Sequence, residues 1–350
     1  MNRFYNISSE KKVIVFNELS SKTGLPPFAI EKDWWVVQTL AIIFEMEIGK
    51  HLVFKGGTSL SKAWNLIERF SEDVDLAVDR SFLGFDGELT RKKEITKLRK
   101  ESNRYITELF FPELSAKFIV KGLTDVKLAL VDAKDSDQDP RIIEVYYPNV
   151  IPSPGYIQPR VQIEIGCRSL KEPFSEREFS SIVDETYSEA LFSQKSIKIP
   201  TVNPERTLLE KIFLLHEEFQ RPIEKIRVDR LSRHLYDVSQ LSKTKFADIA
   251  LADKLLYETI VNHRYRFAKL GGVDYNLHQP QSINLIPIPE MINAWEKDYN
   301  TMQEQMIYGE SPSFKEMIEQ LKNFTERIHA IPWTINGTFK ATKSILNRNI

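Results

Sequence analysis

The feature that most constrains this chain is the stretch of residues 52–78, LVFKGGTSLSKAWNLIERFSEDVDLAV. Its pattern predicts a short apolar strand, a Gly-Gly turn, a helix and a second strand. Gly56 and Gly57 lack a Cβ atom, so the backbone can turn sharply and approach phosphate oxygens closely. We expect Thr58 and Ser59 to cap the following helix, whose free N–H groups and positive dipole end favour an anion.

Asp73 and Asp75 lie on the second predicted strand with one residue between them. Side chains alternate along a strand, so both carboxylates should point to the same face of the sheet. Adjacent carboxylates repel each other unless a cation lies between them, and Mg²⁺ takes such oxygen ligands together with substrate phosphates. Each motif alone is weak, because an ordinary strand end can carry acidic residues, but together they predict a site for a metal-bound nucleoside triphosphate.

The order and spacing of these motifs are similar to the first motif of nucleotidyltransferases related to DNA polymerase beta. In detail, GGTSLSK at 56–62 and RFSEDVDL at 69–76 resemble the AbiEii family of minimal nucleotidyltransferases, the toxins of bacterial abortive-infection toxin-antitoxin systems. The resemblance implies an α/β (α+β) nucleotidyltransferase fold: a small mixed sheet with flanking helices and a helical C-terminal domain. We therefore expect a nucleotidyltransferase core with N-terminal helices at 1–200 and the helical domain at 201–350.

The resemblance also implies roles for residues outside the turn and the two aspartates. Arg69 and Ser71 join the nucleotide-binding residues, and Lys211 of Leu209-Glu210-Lys211 contacts the triphosphate. An Arg-His-x-Tyr-Asp helix places Asp237 in the active site or in its support. From the residues alone, Asp237 could equally form a local ion pair with Arg233, one helical turn earlier.

A third carboxylate on a neighbouring strand would complete a two-Mg²⁺ site and help to deprotonate the attacking hydroxyl. Glu164 alternates with apolar residues on the predicted strand 161–166 and matches this position in the resembling family. Glu144, on the predicted strand 141–147, is the competitor. We favour Glu164, although neither residue need contact a metal.

Beyond this stretch, apolar spacing predicts further elements. We predict helices at 8–22, 28–46, about 90–111, 204–219, 290–306 and 313–329, and strands at 116–120, 126–131, 141–147, 161–166 and 197–202. The charges Glu31, Lys32 and Asp33 also resemble the AbiEii family, in which a helix with such a Glu-Lys-Asp start precedes the glycine motif. An exposed first turn of the second helix is sufficient for these charges, and we prefer it. The stretch 263–289 mixes basic and aromatic residues, which suits either single-stranded RNA or a loop that its aromatic side chains hold to the core.

Composition narrows the class of protein only slightly. The 350 residues contain 48 Lys and Arg and 49 Asp and Glu, so the net charge of -1 does not itself indicate a nucleic-acid partner, although residues 91–104 are locally basic. A single cysteine, Cys167, fits a reducing compartment. The first twelve residues lack the apolar core of a signal peptide, and the apolar run 34–44 is too short to span a bilayer. We expect a cytoplasmic protein with no membrane partner.

The resemblance predicts that the protein transfers a nucleoside monophosphate from an NTP to an RNA acceptor, above all the 3′ end of a tRNA. Such a transfer would block translation and growth, and a cognate antitoxin would be encoded alongside. Two alternatives stay open: transfer to a protein or to a small molecule such as an aminoglycoside, and a non-catalytic protein that binds nucleotide or RNA.

Overall fold

The computed structural model describes residues 4–71, 73–153, 158–167, 173–268 and 270–340. The chain divides into two compact units. The first unit comprises Met1–Asn65 and Phe70–Val202, and the second comprises Leu66–Arg69 and Asn203–Ile350. The motif stretch therefore contributes to both units, because residues 66–69 belong to the second.

A mixed β-sheet forms the centre of the first unit. Its strands within the described residues are β1 Leu52–Lys55, β2 Asp73–Val78, β3 Lys127–Leu130, β4 Arg141–Tyr146, β5 Arg160–Gly166, β6 Phe174–Phe179 and β7 Ile197–Val202. The strand order is β3-β4-β5-β2-β1-β7-β6. The β2–β5 and β1–β7 pairs are parallel, and the remaining neighbours are antiparallel. The two central strands β2 and β5 thus lie side by side although more than eighty residues separate them in sequence.

The helices of the first unit flank this sheet. They are α1 Ser9–Thr23, α2 Pro27–Phe44, α3 Gly56–Thr58, α4 Lys92–Tyr105, α5 Phe111–Val120 and α6 Ile182–Thr186. Ser8 caps α1 at its start, and Gly24 ends it in the left-handed conformation with φ 74°. Helix α2 is apolar around most of its circumference and packs against α1, β5 and β7. Because apolar residues occur on most sides of α2, neighbouring elements cover the helix on several sides, and almost all of its residues are buried.

The predictions of a strand at 116–120 and of an exposed turn at 31–33 in the first unit were wrong. Residues 116–120, predicted as a strand, continue helix α5, in which Leu114 and Phe118 are buried one turn apart. A short apolar run does not distinguish a strand from a helix by itself, and the preceding helical residues decide it. The triplet Glu31-Lys32-Asp33, expected to be exposed, has relative exposures of 3%, 2% and 8%. These charges lie on a helix whose surroundings are protein rather than water.

The regular elements of the second unit, within its described residues, are helices, apart from an isolated β-bridge between Arg69 and Ile307. Its helices are α7 Pro204–Phe219, α8 Ser232–Leu241, α9 Lys245–Ala252, α10 Lys254–Phe267, α11 Ile292–Gln305 and α12 Phe314–His329. The predicted helices at 204–219, 290–306 and 313–329 are confirmed to within two residues. None of the helices in the described residues combines the length and the apolar character needed to cross a bilayer.

The basic and aromatic stretch 263–289 largely packs into the core of the second unit. Arg264 forms an ion pair with the buried carboxylate of Glu217. Burial alone would raise the pKa of Glu217, but the charge of Arg264 outweighs burial and lowers this pKa to about 2. The ring of Tyr275 is buried and stacks on His278. Lys269 lies outside the described residues. These contacts support the interpretation of a loop held to the core rather than a surface for single-stranded RNA.

Replacing the cap of α12 tests how this helix is stabilised. Ser313 accepts a hydrogen bond from the backbone N–H of Glu316, and the Glu316 side chain accepts one from the Ser313 N–H. We predict that Ser313→Ala destabilises the protein by about 1 kcal/mol, whereas Ser313→Gly costs only a few tenths. Thermal unfolding should show a melting temperature about 1–2 °C lower for the alanine variant. Equal melting temperatures for the two variants would contradict a cap of this kind.

Candidate active site

The turn after β1 packs directly against an aspartate of β2. Gly56 has a φ of +78°, and a Cβ atom added there would lie 1.9 Å from Oδ2 of Asp75. A side chain at residue 56 would therefore be strained and would also overlap with the carboxylate. The register places Lys55 opposite Asp75, so the strand pairing itself brings the turn to this carboxylate. The two sequence motifs thus meet in space.

The hydroxyl groups that follow the turn do not act as helix caps. The helical segment begins at Gly56, with Lys55 at the N-cap position, and continues as a π-helical turn over Ser59–Ala63. Thr58 Oγ1 donates a hydrogen bond to the backbone oxygen of Asp73 at 2.6 Å, and Ser59 Oγ donates to the backbone oxygen of Gly56 at 2.8 Å. The capping prediction was wrong, because both hydroxyls act as donors that tie the turn to itself and to β2.

The carboxylates of the two central strands share one face of the sheet. Buried residues alternate with partly exposed ones along the first four residues of β2 and along β5, and Asp73, Asp75 and Glu164 are all in the partly exposed set. The parallel register pairs Asp75 directly with Glu164. Paired residues on neighbouring strands are about 4.8 Å apart at the backbone and project to the same side. The arrangement therefore concentrates negative charge beside the glycine turn.

Glu144, the competing third carboxylate, lies one strand farther from β2. Its register partner on β5 is Gln162. Glu144 forms an ion pair with Arg160 at 3.0 Å and accepts a hydrogen bond from the hydroxyl of Tyr146. Glu164 accepts a hydrogen bond from the neutral amide of Gln162 at 2.9 Å. On position, Glu164 is the better placed of the two to share a cation with Asp75.

A cluster of buried charges lies in the second unit. Arg69 donates through Nε and Nη2 to the two carboxylate oxygens of Asp237, both at 2.7 Å. Lys211 Nζ lies 2.8 Å from Oδ2 of Asp237 and 3.4 Å from Nδ1 of His234. Asp237 is fully buried, and Arg69 is only 2% exposed. The charge of Asp237 is therefore balanced by two cations, and its partners are Arg69 and Lys211 rather than the neighbouring Arg233.

Burial and charge act in opposite directions on this cluster. Burial alone would raise the pKa of Asp237, but Arg69 and Lys211 lower that pKa below its ordinary value. Burial lowers the pKa of Lys211, and Asp237 opposes that change. Burial also lowers the pKa of His234 well below its ordinary value, and Lys211 adds to this effect. His234 is therefore neutral, and its Nδ1 can accept a hydrogen bond from the Lys211 ammonium.

The sequence profile of the family described as "Nucleotidyl transferase AbiEii toxin, Type IV TA system" matches residues 39–324. The chain belongs to the AbiEii family. This match covers most of the chain, and it confirms both the resemblance and the predicted fold of a mixed sheet with flanking helices. The protein is thus a member of the nucleotidyltransferase toxins of type IV toxin-antitoxin systems.

Two solved structures are similar to this AbiEii protein at low identity. MenT4, a nucleotidyltransferase toxin from Mycobacterium tuberculosis, shares 14% identity with a TM-score of 0.45, over 93% of this chain and all of that one. JHP933 from Helicobacter pylori shares 12% identity with a TM-score of 0.37, over 83% of this chain and 88% of that one. No curated protein sequence matches the chain. The assignment to AbiEii depends on the family profile alone.

The residues that the AbiEii resemblance singled out fall into two groups. Those in the first unit are Gly56, Gly57, Thr58, Ser59, Ser71, Asp73, Asp75 and Glu164, and those in the second unit are Arg69, Lys211 and Asp237. Ser71 is partly exposed and lies two residues before β2. The roles of both groups in the reaction stay predictions, which the variants described below are designed to test.

Magnesium is the cofactor that the AbiEii family implies, and the residues present fit it. Mg²⁺ usually takes one or two protein carboxylates and completes its shell with water and substrate phosphates. Asp73 and Asp75 offer two carboxylates on one face, and the absence of a Cβ at Gly56 keeps Oδ2 of Asp75 clear of the turn. No group of three His, Cys, Asp or Glu side chains in the described residues could hold a metal ion unaided. An ion here would therefore depend on substrate oxygens.

Residues 31–33 resemble the AbiEii family, but an exposed first turn was preferred for them because three charges at the start of a helix fit one. The signal that could have corrected this is the composition of α2, in which apolar residues occur on every side of the helix rather than on one stripe. Charges within such a helix are buried with partners, and buried charges require specific partners.

Gly56→Ala tests the contact between the turn and Asp75. The added Cβ would force the Asp75 carboxylate to move, so we predict loss of nucleotidyl transfer. Gly84→Ala is the matched control, because Gly84 has a φ of +80° but no atom lies within 4 Å of its added Cβ. Both variants should pay about 1–2 kcal/mol of backbone strain, visible as a lower melting temperature. Transfer activity that survives in Gly56→Ala, or is lost equally in Gly84→Ala, would contradict this account.

Asp237→Asn tests the buried charge cluster. Removing one partner of a buried ion pair leaves uncompensated charge, so we predict a loss of about 3–5 kcal/mol in the free energy of unfolding. Because the folded-state pKa of Asp237 is lowered, its contribution is present above the unfolded pKa of about 4 and disappears as the pH falls through the folded value. Unfolding with urea between pH 7 and pH 2 measures this difference, which should be constant above about pH 5 and shrink below about pH 4.

The control for this variant is Asp248→Asn. Asp248 pairs with Arg327 at 2.8 Å but is 76% exposed, so its loss should change stability little. If Asp237→Asn and Asp248→Asn were equally stable near neutral pH, the cluster would not have the energetic role assigned to it.

Proposed function

We propose that this AbiEii protein transfers a nucleoside monophosphate from an NTP to the 3′ end of an RNA acceptor, a tRNA. The extended tRNA could no longer be aminoacylated, so translation and growth would stop. The observation that carries the proposal is the packing of Asp75 against Gly56, with Glu164 in register on the neighbouring strand. This arrangement joins a phosphate-approaching turn to a set of carboxylates, as two-metal phosphoryl chemistry requires.

In the proposed reaction, a hydroxyl oxygen of the acceptor attacks the α-phosphorus of the NTP and pyrophosphate leaves in line with it. Asp73 and Asp75 supply the carboxylate ligands, while Glu164 is the third carboxylate and would help to draw the proton from the attacking hydroxyl. Two bound Mg²⁺ ions would supply Lewis-acid activation and neutralise charge on the phosphates. The backbone of Gly56 and Gly57 would hold the phosphates.

The hydroxyl groups near the turn have two tasks in this proposal. Thr58 and Ser59 fix the turn through their hydrogen bonds to Asp73 and Gly56. They would therefore affect phosphate binding through the shape of the turn. Ser71, partly exposed before β2, would donate a hydrogen bond to a phosphate oxygen, as the family resemblance implies.

Lys211 keeps its proposed role as a ligand of the β- and γ-phosphates. An ammonium group has three N–H donors, and within the described residues Asp237 and His234 account for two of them. Arg69 fixes Asp237 by a bidentate contact, and Asp237 orients Lys211. We therefore propose that Asp237 and Arg69 position the lysine rather than contact the nucleotide.

Surface charge supports RNA as the acceptor. Helix α4 carries Lys92, Lys93, Lys97 and Lys100 on its exposed side, and Ile95 and Leu98 on its buried side. Such a row of cations would release counterions from an RNA backbone, so acceptor binding should weaken as the salt concentration rises.

Membership of a toxin-antitoxin family further supports a cognate antitoxin as a partner of the protein in the cell.

Incubating the purified protein with total tRNA, Mg²⁺ and each labelled NTP in turn tests the proposed function. We predict label in tRNA, sensitive to removal of its 3′ end, and none in parallel reactions with a protein mixture or an aminoglycoside. Asp75→Ala should abolish incorporation. Label in the protein or aminoglycoside reactions would identify another acceptor, and incorporation by Asp75→Ala would contradict the proposed site. Absence of label with every acceptor would favour a non-catalytic binding protein.

A pair of glutamine variants tests the choice of third carboxylate. We predict that Glu164→Gln lowers kcat by at least about 100-fold, within the range typical of lost acid-base groups, because a neutral amide neither attracts Mg²⁺ nor accepts the hydroxyl proton. Glu144→Gln removes a carboxylate on the next strand and should leave kcat nearly unchanged. Initial rates at saturating Mg²⁺ and NTP measure the difference. The reverse ranking would assign the role to Glu144.

A further inference from the structure

The Glu31 side chain, at the start of α2, holds a distant loop. Its Oε1 accepts a hydrogen bond from the backbone N–H of Val150 at 2.8 Å, and its Oε2 accepts one from Ile151 at 3.0 Å. The carboxylate is buried, so these bonds replace those that water would make. Both carboxylate oxygens of Glu31 therefore accept hydrogen bonds from the segment that leads from β4 towards β5.

Lys32 contacts both segments that lead into the carboxylate strands. Its ammonium donates to the backbone oxygen of Gln158 at 3.1 Å, two residues before β5 begins. The same nitrogen lies 5.8 Å from the ring centre of Phe70, three residues before β2 begins, within the range of a cation–π contact. A single buried side chain therefore connects the starts of the two strands that carry Asp75 and Glu164.

Asp33 holds the helical segment that follows the glycine turn. Its carboxylate lies 3.0 Å from Lys62 Nζ and also accepts a hydrogen bond from the backbone N–H of Ile182 at 2.7 Å. Lys62 belongs to the π-helical turn that continues directly from Gly56–Thr58. The side chains of Asp33 and Lys62 are only 10% and 12% exposed, so water screens their attraction weakly. Glu185, at 3.9 Å, is a second carboxylate near Lys62.

Apart from the bond between Asp33 and Ile182, these contacts share one property: each partner segment carries or precedes part of the candidate site. We propose that Glu31, Lys32 and Asp33 are positioning residues, which fix the glycine turn, β2 and β5 relative to one another so that the carboxylates and the turn match one metal-bound triphosphate. This inference rests on the proposed function, because it assigns a task to residues around that site. None of the three side chains contacts substrate in this proposal.

The cost of burying the triplet supports a task beyond stability. A buried ion pair gains little over apolar residues of similar size, because removing charges from water offsets their attraction. Apolar side chains at 31–33 would suit the rest of α2, which is rich in Trp, Val, Leu and Ile. Charged side chains, in contrast, specify both the direction and the distance of their partners. Groups that orient metal ligands are commonly of this type.

Asp33→Asn and Lys32→Met test the inference, since both keep the side-chain volume nearly constant. We expect each variant to lower kcat/KM and to weaken binding of Mn²⁺ with a non-hydrolysable NTP by about 10- to 100-fold, the range seen when supporting groups are removed. Calorimetry gives the binding constant without turnover. Glu217→Gln is the control, because Glu217 is fully buried but pairs with Arg264 and His278, which belong to none of the segments that the triplet contacts.

The control separates positioning from stability. Glu217→Gln should lower the melting temperature while leaving the kinetic and binding constants unchanged. If Asp33→Asn and Lys32→Met also lowered only the melting temperature, the triplet would be purely structural and the inference would be overturned. Should Lys32→Met fail to fold, Asp33→Asn decides the question together with Lys62→Gln.

A double-mutant cycle identifies the route by which Asp33 acts. If Asp33 acts through Lys62, the fold-change caused by Asp33→Asn should disappear in the Lys62→Gln background, whereas independent effects would multiply. Multiplying effects would overturn this part of the inference. Asp75→Ala, measured in parallel, separates a failure of the proposed function from a failure of the positioning role. Activity in Asp75→Ala refutes the proposed function itself, while an inactive Asp75→Ala with unaltered triplet variants refutes only the positioning role.

Discussion

The contact between the Asp75 carboxylate and the backbone of Gly56 is the constraint on which the candidate site depends. It exists only because residue 56 has no Cβ and can adopt a positive φ. Antiparallel pairing of β1 with β2 brings the two residues together, and parallel pairing of β2 with β5 adds Glu164 to the same face. A phosphate-approaching turn and a row of carboxylates therefore form one local arrangement inside a single unit of this AbiEii protein.

Both units contain charges in their cores, and each set connects segments that are far apart in sequence. In the first unit, residues 31–33 bond the segments before β2, before β5 and after the glycine turn. In the second unit, Asp237 joins Arg69 to Lys211. Buried ion pairs add little net stability, but removing one partner is costly, so they hold their partners in defined places. We infer that both sets serve the placement of functional groups.

The sequence predicted those features that depend on local periodicity. The period of two placed Asp73 and Asp75 on one face, and helical spacing placed the helix 204–219 correctly. It failed where tertiary partners decide the outcome. The apolar run 116–120 could be strand or helix, and the preceding helix settled it. The hydroxyls of Thr58 and Ser59 could bond to any of several acceptors. The charges at 31–33 bond to partners more than twenty-five residues away in the sequence. Local patterns do not encode such choices.

The most direct test of the account is the position of a metal in crystals grown with Mn²⁺ and a non-hydrolysable NTP. Anomalous scattering at the manganese edge locates the ion independently of the protein chain. The account predicts an anomalous peak bonded to the carboxylates of Asp73 and Asp75, with the triphosphate beside the Gly56–Gly57 turn. A nucleotide bound elsewhere, or a metal that none of these carboxylates contacts, would contradict it.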